Sequence, residues 1–423
     1  MRQGKHSAVK KRPLWPFAMV AVILLAVAAA WGAPQVLEDR QPPLAQPPLQ
    51  EEPYTGIPEL PPEPESEPVL PPEPAPDPVE TLLAEMGLRE KVCQLFIVAP
   101  SSITGVTTVT AAGEQTALAL EKYPVGGLLY DRKNMVSQEQ VRTMLANVQG
   151  YSRIPLLLTL DEEGGRVNRL MATVGTTKIG PMLDYKDQGI ETAKENARII
   201  AADILSCGFN MNLAPVADVW SNPANTVIGD RAYSDNFQQA AELVSAAVEG
   251  FHEGGAACVL KHFPGHGDTS ADSHYGSVYV YKTLDELRQA ELIPFQAGID
   301  AGADAVMMGH MIIEEVDSQP ALFSYKVVTG LLREELGFQG VVMTDSLQMQ
   351  AMTSVYGSGE IAVSAVKAGV DILLCPPDLE EAVNALVQAV EKGEIPMERL
   401  DESVLRILRM KMGLGLLDSR KTT

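Results

Sequence analysis

Between residues 81 and 423 short apolar runs recur, separated by stretches whose apolar positions follow helical spacing. The runs are VGGLLY, IPLLLTLD, FNMNLAPVAD, AACVLKHF, ADAVMMGH, GVVMTD and VDILLCP. Strands that are apolar along nearly their whole length belong to parallel sheets covered on both faces. Seven of them, alternating with helices, predict an α/β fold, a single (β/α)8 TIM-type barrel with one strand disguised. Most runs end in a polar residue: Asp161, Asp218, Lys261, His262, His310 and Asp345 follow the last apolar position. In a barrel those residues converge on the C-terminal rim, where this architecture places its chemistry.

What precedes the barrel is of another kind. Residues 1–12 carry five basic side chains, and Leu14 to Ala33 contains no charge, about the ~20 residues that a helix needs to cross a bilayer. Residues 1–33 therefore read as an export signal or membrane anchor. Small residues at Ala28 to Ala30 permit cleavage, but the apolar run exceeds the roughly 7–15 residues of a signal-peptide core, which favours an uncleaved anchor with the rest of the chain outside. Residues 34–80 hold 16 of the 30 prolines and eleven acids against one arginine. Such a linker favours extended polyproline II at ~3.1 Å per residue, a spacer on the order of 100 Å. The barrel is expected over 81–418, acting as a monomer, with 419–423 as a tail.

From residue 81 onward 27 basic residues face 44 acidic ones, a net charge of −17. Nucleic acid is a poor partner for such a domain, because phosphate binding needs clustered cations. The four cysteines, Cys93, Cys207, Cys258 and Cys375, lie within apolar stretches and read as buried free thiols. They form no CxxC spacing.

Three motifs carry candidate chemistry. KHFPGHGDTSADSH, Lys261 to His274, holds three of the six histidines; its Asp272 and His274 suit an acid/base dyad, a metal site or a hydrogen-bonded loop equally. Asp345 in GVVMTDSLQMQAM can be a nucleophile, a metal ligand or the N-cap of a helix running through Leu347 and Ala351. In LLLTLDEEGGRVNRL, Asp161, Arg166 and Arg169 are suited to sugar hydroxyls or to a surface ion-pair network.

Taken together, DEEGGRV, KHFPGHGDTSADSH and TDSLQM, with NLAPVADV, IGDRAY and HMIIEEVDSQPALFS in the same order, resemble the β-N-acetylglucosaminidase branch of glycoside hydrolase family 3. The resemblance implies a retaining exo-glycosidase that removes terminal β-linked N-acetylglucosamine. It assigns Asp345 as nucleophile, His274 as acid/base oriented by Asp272, and Asp161, Arg169, Arg231, Lys261 and His262 as sugar-binding residues. No metal or other cofactor is implied. Glu162 stands where glutamine is common, a change expected to alter rim charge, and Ser346 where a second aspartate often occurs.

Export and a long spacer point to cell-wall peptidoglycan fragments as the carbohydrate partner. The competing readings are a phosphorylase using the same site, a metal-dependent hydrolase and a non-catalytic wall-binding module.

Overall fold

The computed structural model describes Gly56 and residues 77–269 and 278–417. The apolar segment, nearly all of the linker, the tail, and Asp272 and His274 lie outside the described residues. Among the described residues no helix is long and apolar enough to cross a membrane.

The first helix starts at Pro78, whose missing N–H costs nothing at a helix start, and Asp77 caps it by accepting from the Val79 N–H at 2.9 Å. It ends at Glu85, and a second helix spans Leu88–Gln94. The chain then turns into β1, Phe96–Val98. This is the disguised strand: its three apolar residues continue the apolar pattern of the helix before them.

The other barrel strands are β2 Gly127–Leu129, β3 Leu157–Leu160, β4 Met211–Asn212, β5 Ala257–Phe263, β6 Ala305–Met308, β7 Val341–Thr344 and β8 Leu373–Leu374. All pair in parallel in the order β8-β1-β2-β3-β4-β5-β6-β7. A parallel bridge between Met343 and Ile372 joins β7 to the start of β8 and closes the ring. The barrel residues are buried in one continuous apolar cluster, and covering helices such as Ile190–Cys207 and Phe237–Glu253 bury alanine-rich faces. All four cysteines are buried free thiols.

Two local features place the rim residues. The register of β5 against β6 shifts between Lys261 and Phe263, and such a bulge re-aims side chains at a sheet's end. Strand β5 thus runs two residues beyond Lys261, so Lys261 and His262 lie within it rather than after it. Farther on, a Cβ on Gly267 would stand 1.7 Å from the Val219 carbonyl oxygen. Only glycine lets that loop lie against the chain leaving β4.

Candidate active site

Five charged side chains form a line across the rim. Arg169 Nη2 donates to Asp161 Oδ2 at 3.1 Å, and Lys261 Nζ donates to Asp161 Oδ1 at 2.9 Å. Lys261 also lies 2.6 Å from Glu163 Oε1. Glu163 in turn accepts two bonds from Arg231, at 2.8 and 2.9 Å. The outer end is tied by Arg169 Nε to Asp131 Oδ1 at 2.7 Å.

Cation and anion alternate, so each buried charge has a partner. Burial pushes the Glu163 carboxyl up, but Arg231 and Lys261 outweigh it and hold the group well below the usual carboxylate range. Lys261 is the converse: burial lowers it, yet Asp161 and Glu163 keep it above an ordinary lysine.

Asp345 directly follows β7. Its Oδ1 accepts from the Ser346 N–H at 2.6 Å. Burial raises its carboxyl, whereas His262, His310, that N–H and Lys261 favour the anion, and the net result is a pKa below the ordinary aspartate value.

Two of these neighbours are fixed from behind. His262 Nδ1 is 2.6 Å from Asp218 Oδ2, and His310 Nε2 is 2.9 Å from the Ser346 carbonyl oxygen. Asp218 is 1% exposed. Its oxygens also accept from the backbone N–H groups of His262 and His266, at 3.1 and 2.6 Å. Burial would raise Asp218, but His262 holds it low, so an anion stays behind the imidazole.

Asp161, Arg169, Arg231, Lys261, His262 and Asp345 all line one cavity of about 570 Å3, within the ~300–1,000 Å3 of small-molecule sites. Asp345 does not cap the following helix, which spans only Gln350–Thr353 behind Met349. Glu162 points away from the cavity and accepts from the N–H groups of Arg169, Leu170 and Met171 at 2.6, 2.8 and 3.1 Å. It therefore fixes the backbone of Arg169 rather than adding charge to the rim. Arg166 binds the carbonyls of Thr226, Val227 and Ile228 and pairs with Asp230. It holds a loop and takes no part in the cavity wall.

Glu163 and His266 also line the cavity and were not singled out in the sequence. Glu163 sits inside an acidic turn motif, and nothing local shows that its partner is Arg231, 68 residues away.

Residues 87–410 match the model of the glycosyl hydrolase family 3 N terminal domain. The chain belongs to that family. It is a glycoside hydrolase.

A protein of Stenotrophomonas maltophilia (strain R551-3) named Beta-hexosaminidase is 37% identical over 276 residues, 63% of this chain and 81% of that one. Beta-hexosaminidase A of Pseudoalteromonas piscicida is 34% identical over 325 residues, 70% of this chain and 54% of that one. Among solved structures, the family 3 β-N-acetylglucosaminidase from Paenibacillus sp. str. FPU-7 is similar with a TM-score of 0.74 and 39% identity, over 78% of this chain. This chain spans 63% of that one.

Proposed function

We propose that the protein is a retaining exo-β-N-acetylglucosaminidase in which Asp345 is the nucleophile. The observation that carries this reading is the state of Asp345. A carboxylate at the end of β7, in the wall of the cavity, is kept anionic by the imidazoles and the ammonium around it. The names of the similar proteins supply the sugar: β-hexosaminides for the Stenotrophomonas protein and N-acetylglucosamine for the Paenibacillus enzyme.

In the first step an Asp345 oxygen bonds to the anomeric carbon. The bond from that carbon to the leaving oxygen breaks, and that oxygen takes a proton from His274. In the second step water attacks the same carbon, gives a proton to His274 and releases Asp345, so that configuration is retained. The Ser346 N–H fixes the carboxylate plane. Arg169, Asp161, Lys261 and His262 present donors and acceptors to sugar hydroxyls. The role of the Asp272/His274 pair rests on the ADSH segment of the sequence; a histidine, with an unperturbed pKa of about 6.5, can serve both steps near neutral pH.

Residues 1–33 would tether the enzyme outside the cell through the linker 34–80, with muropeptide-like wall fragments as substrate. Membrane fractionation of cells and product analysis on purified wall fragments test those two points.

The activity is tested by comparing hydrolysis of aryl β-N-acetylglucosaminide and aryl β-glucoside, with and without phosphate. The expected result is selective release from the former, independent of phosphate, with the β-anomer of the sugar appearing first. An initial α-anomer, a sugar phosphate as the product, or no turnover of the N-acetylglucosaminide would overturn the reading.

A further inference from the structure

At the opposite end of the barrel from the cavity, three residues of different elements bring ligand atoms together. His252 lies in the last turn of the helix Phe237–Glu253, Cys258 is the second residue of β5, and Asp304 immediately precedes β6. One ligand atom from each lies within 4.8 Å of the other two. His252 Nε2 is 2.9 Å from Asp304 Oδ2 and 3.9 Å from Cys258 Sγ. The arrangement is braced, because the same Asp304 oxygen accepts from the Cys258 backbone N–H at 2.9 Å.

We propose that His252, Cys258 and Asp304 form a structural site for a borderline transition-metal ion, zinc by preference, that fastens this helix to β5 and β6.

The donor set selects the ion. One nitrogen, one sulfur and one oxygen suit Zn2+ or Co2+, whereas Ca2+ and Mg2+ take oxygen ligands. A tetrahedral zinc with bonds of about 2.0–2.3 Å needs N···O near 3.3 Å and N···S near 3.6 Å. The separations of 2.9 and 3.9 Å are within about 0.5 Å of those. Small side-chain rotations therefore close the set.

Burial is graded along the trio. Cys258 is 0% exposed, while the side chains of His252 and Asp304 are 36% and 27% exposed. An ion would thus enter from the histidine side and keep a water there as its fourth ligand. Asp304 also lines a second cavity of about 500 Å3, which His252 and Cys258 do not border. On binding, the Cys258 S–H bond is replaced by a sulfur–metal bond and the proton leaves to solvent.

The N-terminal end of a barrel is where residues serve stability rather than catalysis. The ordinary alternative is a histidine–aspartate ion pair beside an inert thiol, and it makes different predictions.

The test uses the purified full chain, stripped with chelator and titrated with ZnCl2 by calorimetry and with CoCl2 by absorption. In the wild type, one equivalent binds at this site, cobalt gives a thiolate-to-metal charge-transfer band, and zinc at a hundred times its Kd raises Tm by roughly 5 °C. Cys258→Ser loses the charge-transfer band, and both it and His252→Gln lose one equivalent of zinc. Hydrolysis by the metal-free enzymes stays at the wild-type level. His252 is half-exposed, so its variant keeps the test open should the buried Cys258→Ser fail to fold. Absence of stoichiometric binding, or zinc binding that survives unchanged in His252→Gln, as an ion held in the catalytic cavity would, overturns the proposal. Its outcome is independent of the glycosidase assay.

Discussion

Lys261 Nζ lies 2.6 Å from Glu163 Oε1, and their side chains are 3% and 2% exposed. Glu163 is the only carboxylate that touches both Lys261 and Arg231 among the described ion pairs. Replacing it with glutamine leaves two buried cations short of one countercharge. Glu163→Gln should lower stability by about 3 kcal/mol at pH 7, since breaking a buried pair typically costs ~3–5 kcal/mol, read from the urea midpoint.

The pH dependence has a definite sign. Glu163 has a folded pKa below its unfolded one, so its stabilisation is complete above the unfolded value of about 4.3 and fades as pH falls toward the folded one. The gap between wild type and Glu163→Gln should accordingly be larger at pH 7 than at pH 3. A gap that does not shrink in acid would show that the carboxylate's charge is not what stabilises the rim.

Asp345→Asn should reduce kcat for an aryl β-N-acetylglucosaminide by about 10^3-fold or more, the scale on which loss of a nucleophile acts, with circular dichroism unchanged. Because Asp345 is held below the ordinary aspartate value, its protonation should limit wild-type kcat/KM only below about pH 4. A pH profile from 3 to 9 checks this. If the limb attributable to Asp345 lay near pH 6, the electrostatic account of the nucleophile would fail.

The strand ends made much of this rim legible. Asp161, Lys261, His262 and Asp345 stand out because a polar residue after an apolar run has few other places to go in a closed parallel barrel. Strand β1 did not, since Phe96 to Val98 continue an apolar helical pattern. What sequence spacing could not supply was pairing at a distance. Glu163 finds Arg231 across 68 residues and Asp218 finds His262 across 44. His252, Cys258 and Asp304 share no spacing pattern at all; only the helix-to-strand and helix-to-helix packing brings them together. Glu162 shows the reverse error: an acid in a rim motif that is spent on backbone N–H groups.

Asp218 acts on the cavity only through His262 and the loop at His266, which makes it a positioning residue. Asp218→Asn keeps the shape but removes the buried anion 2.6 Å from His262 Nδ1. A charged hydrogen bond of about 1.5–3 kcal/mol corresponds to a fall in kcat/KM of roughly tenfold to a hundredfold. Asp218→Glu should fare no better, because the site is fully enclosed. The discriminating readout is the split between KM and kcat: loss of the anion that holds the His262 ring should raise KM with kcat nearly kept, whereas a loosened loop at His266 would lower kcat as well.

Lys411 presents the opposite balance to Glu163. It lies in the helix Met397–Gly413, is 0% exposed, and donates to Gln94 Oε1 at 2.7 Å. Gln94 in turn donates to the Pro124 carbonyl at 2.7 Å. No carboxylate pairs with Lys411 among the described ion pairs, and burial pushes its ammonium down to about 7. Between that value and the unfolded value of about 10.4, the unfolded chain binds a proton that the folded one does not. Stability contributed through this group therefore rises with pH across that window and is flat below it. Lys411→Met keeps the length of the side chain and removes the desolvated charge, at the cost of one hydrogen bond to Gln94. It should stabilise the barrel by about 2 kcal/mol at pH 7, with the gain shrinking toward pH 10. Thermal unfolding of both proteins at pH 7 and pH 10 measures it, and a variant that is less stable at pH 7 would show that the bond to Gln94 outweighs the desolvation of the ammonium.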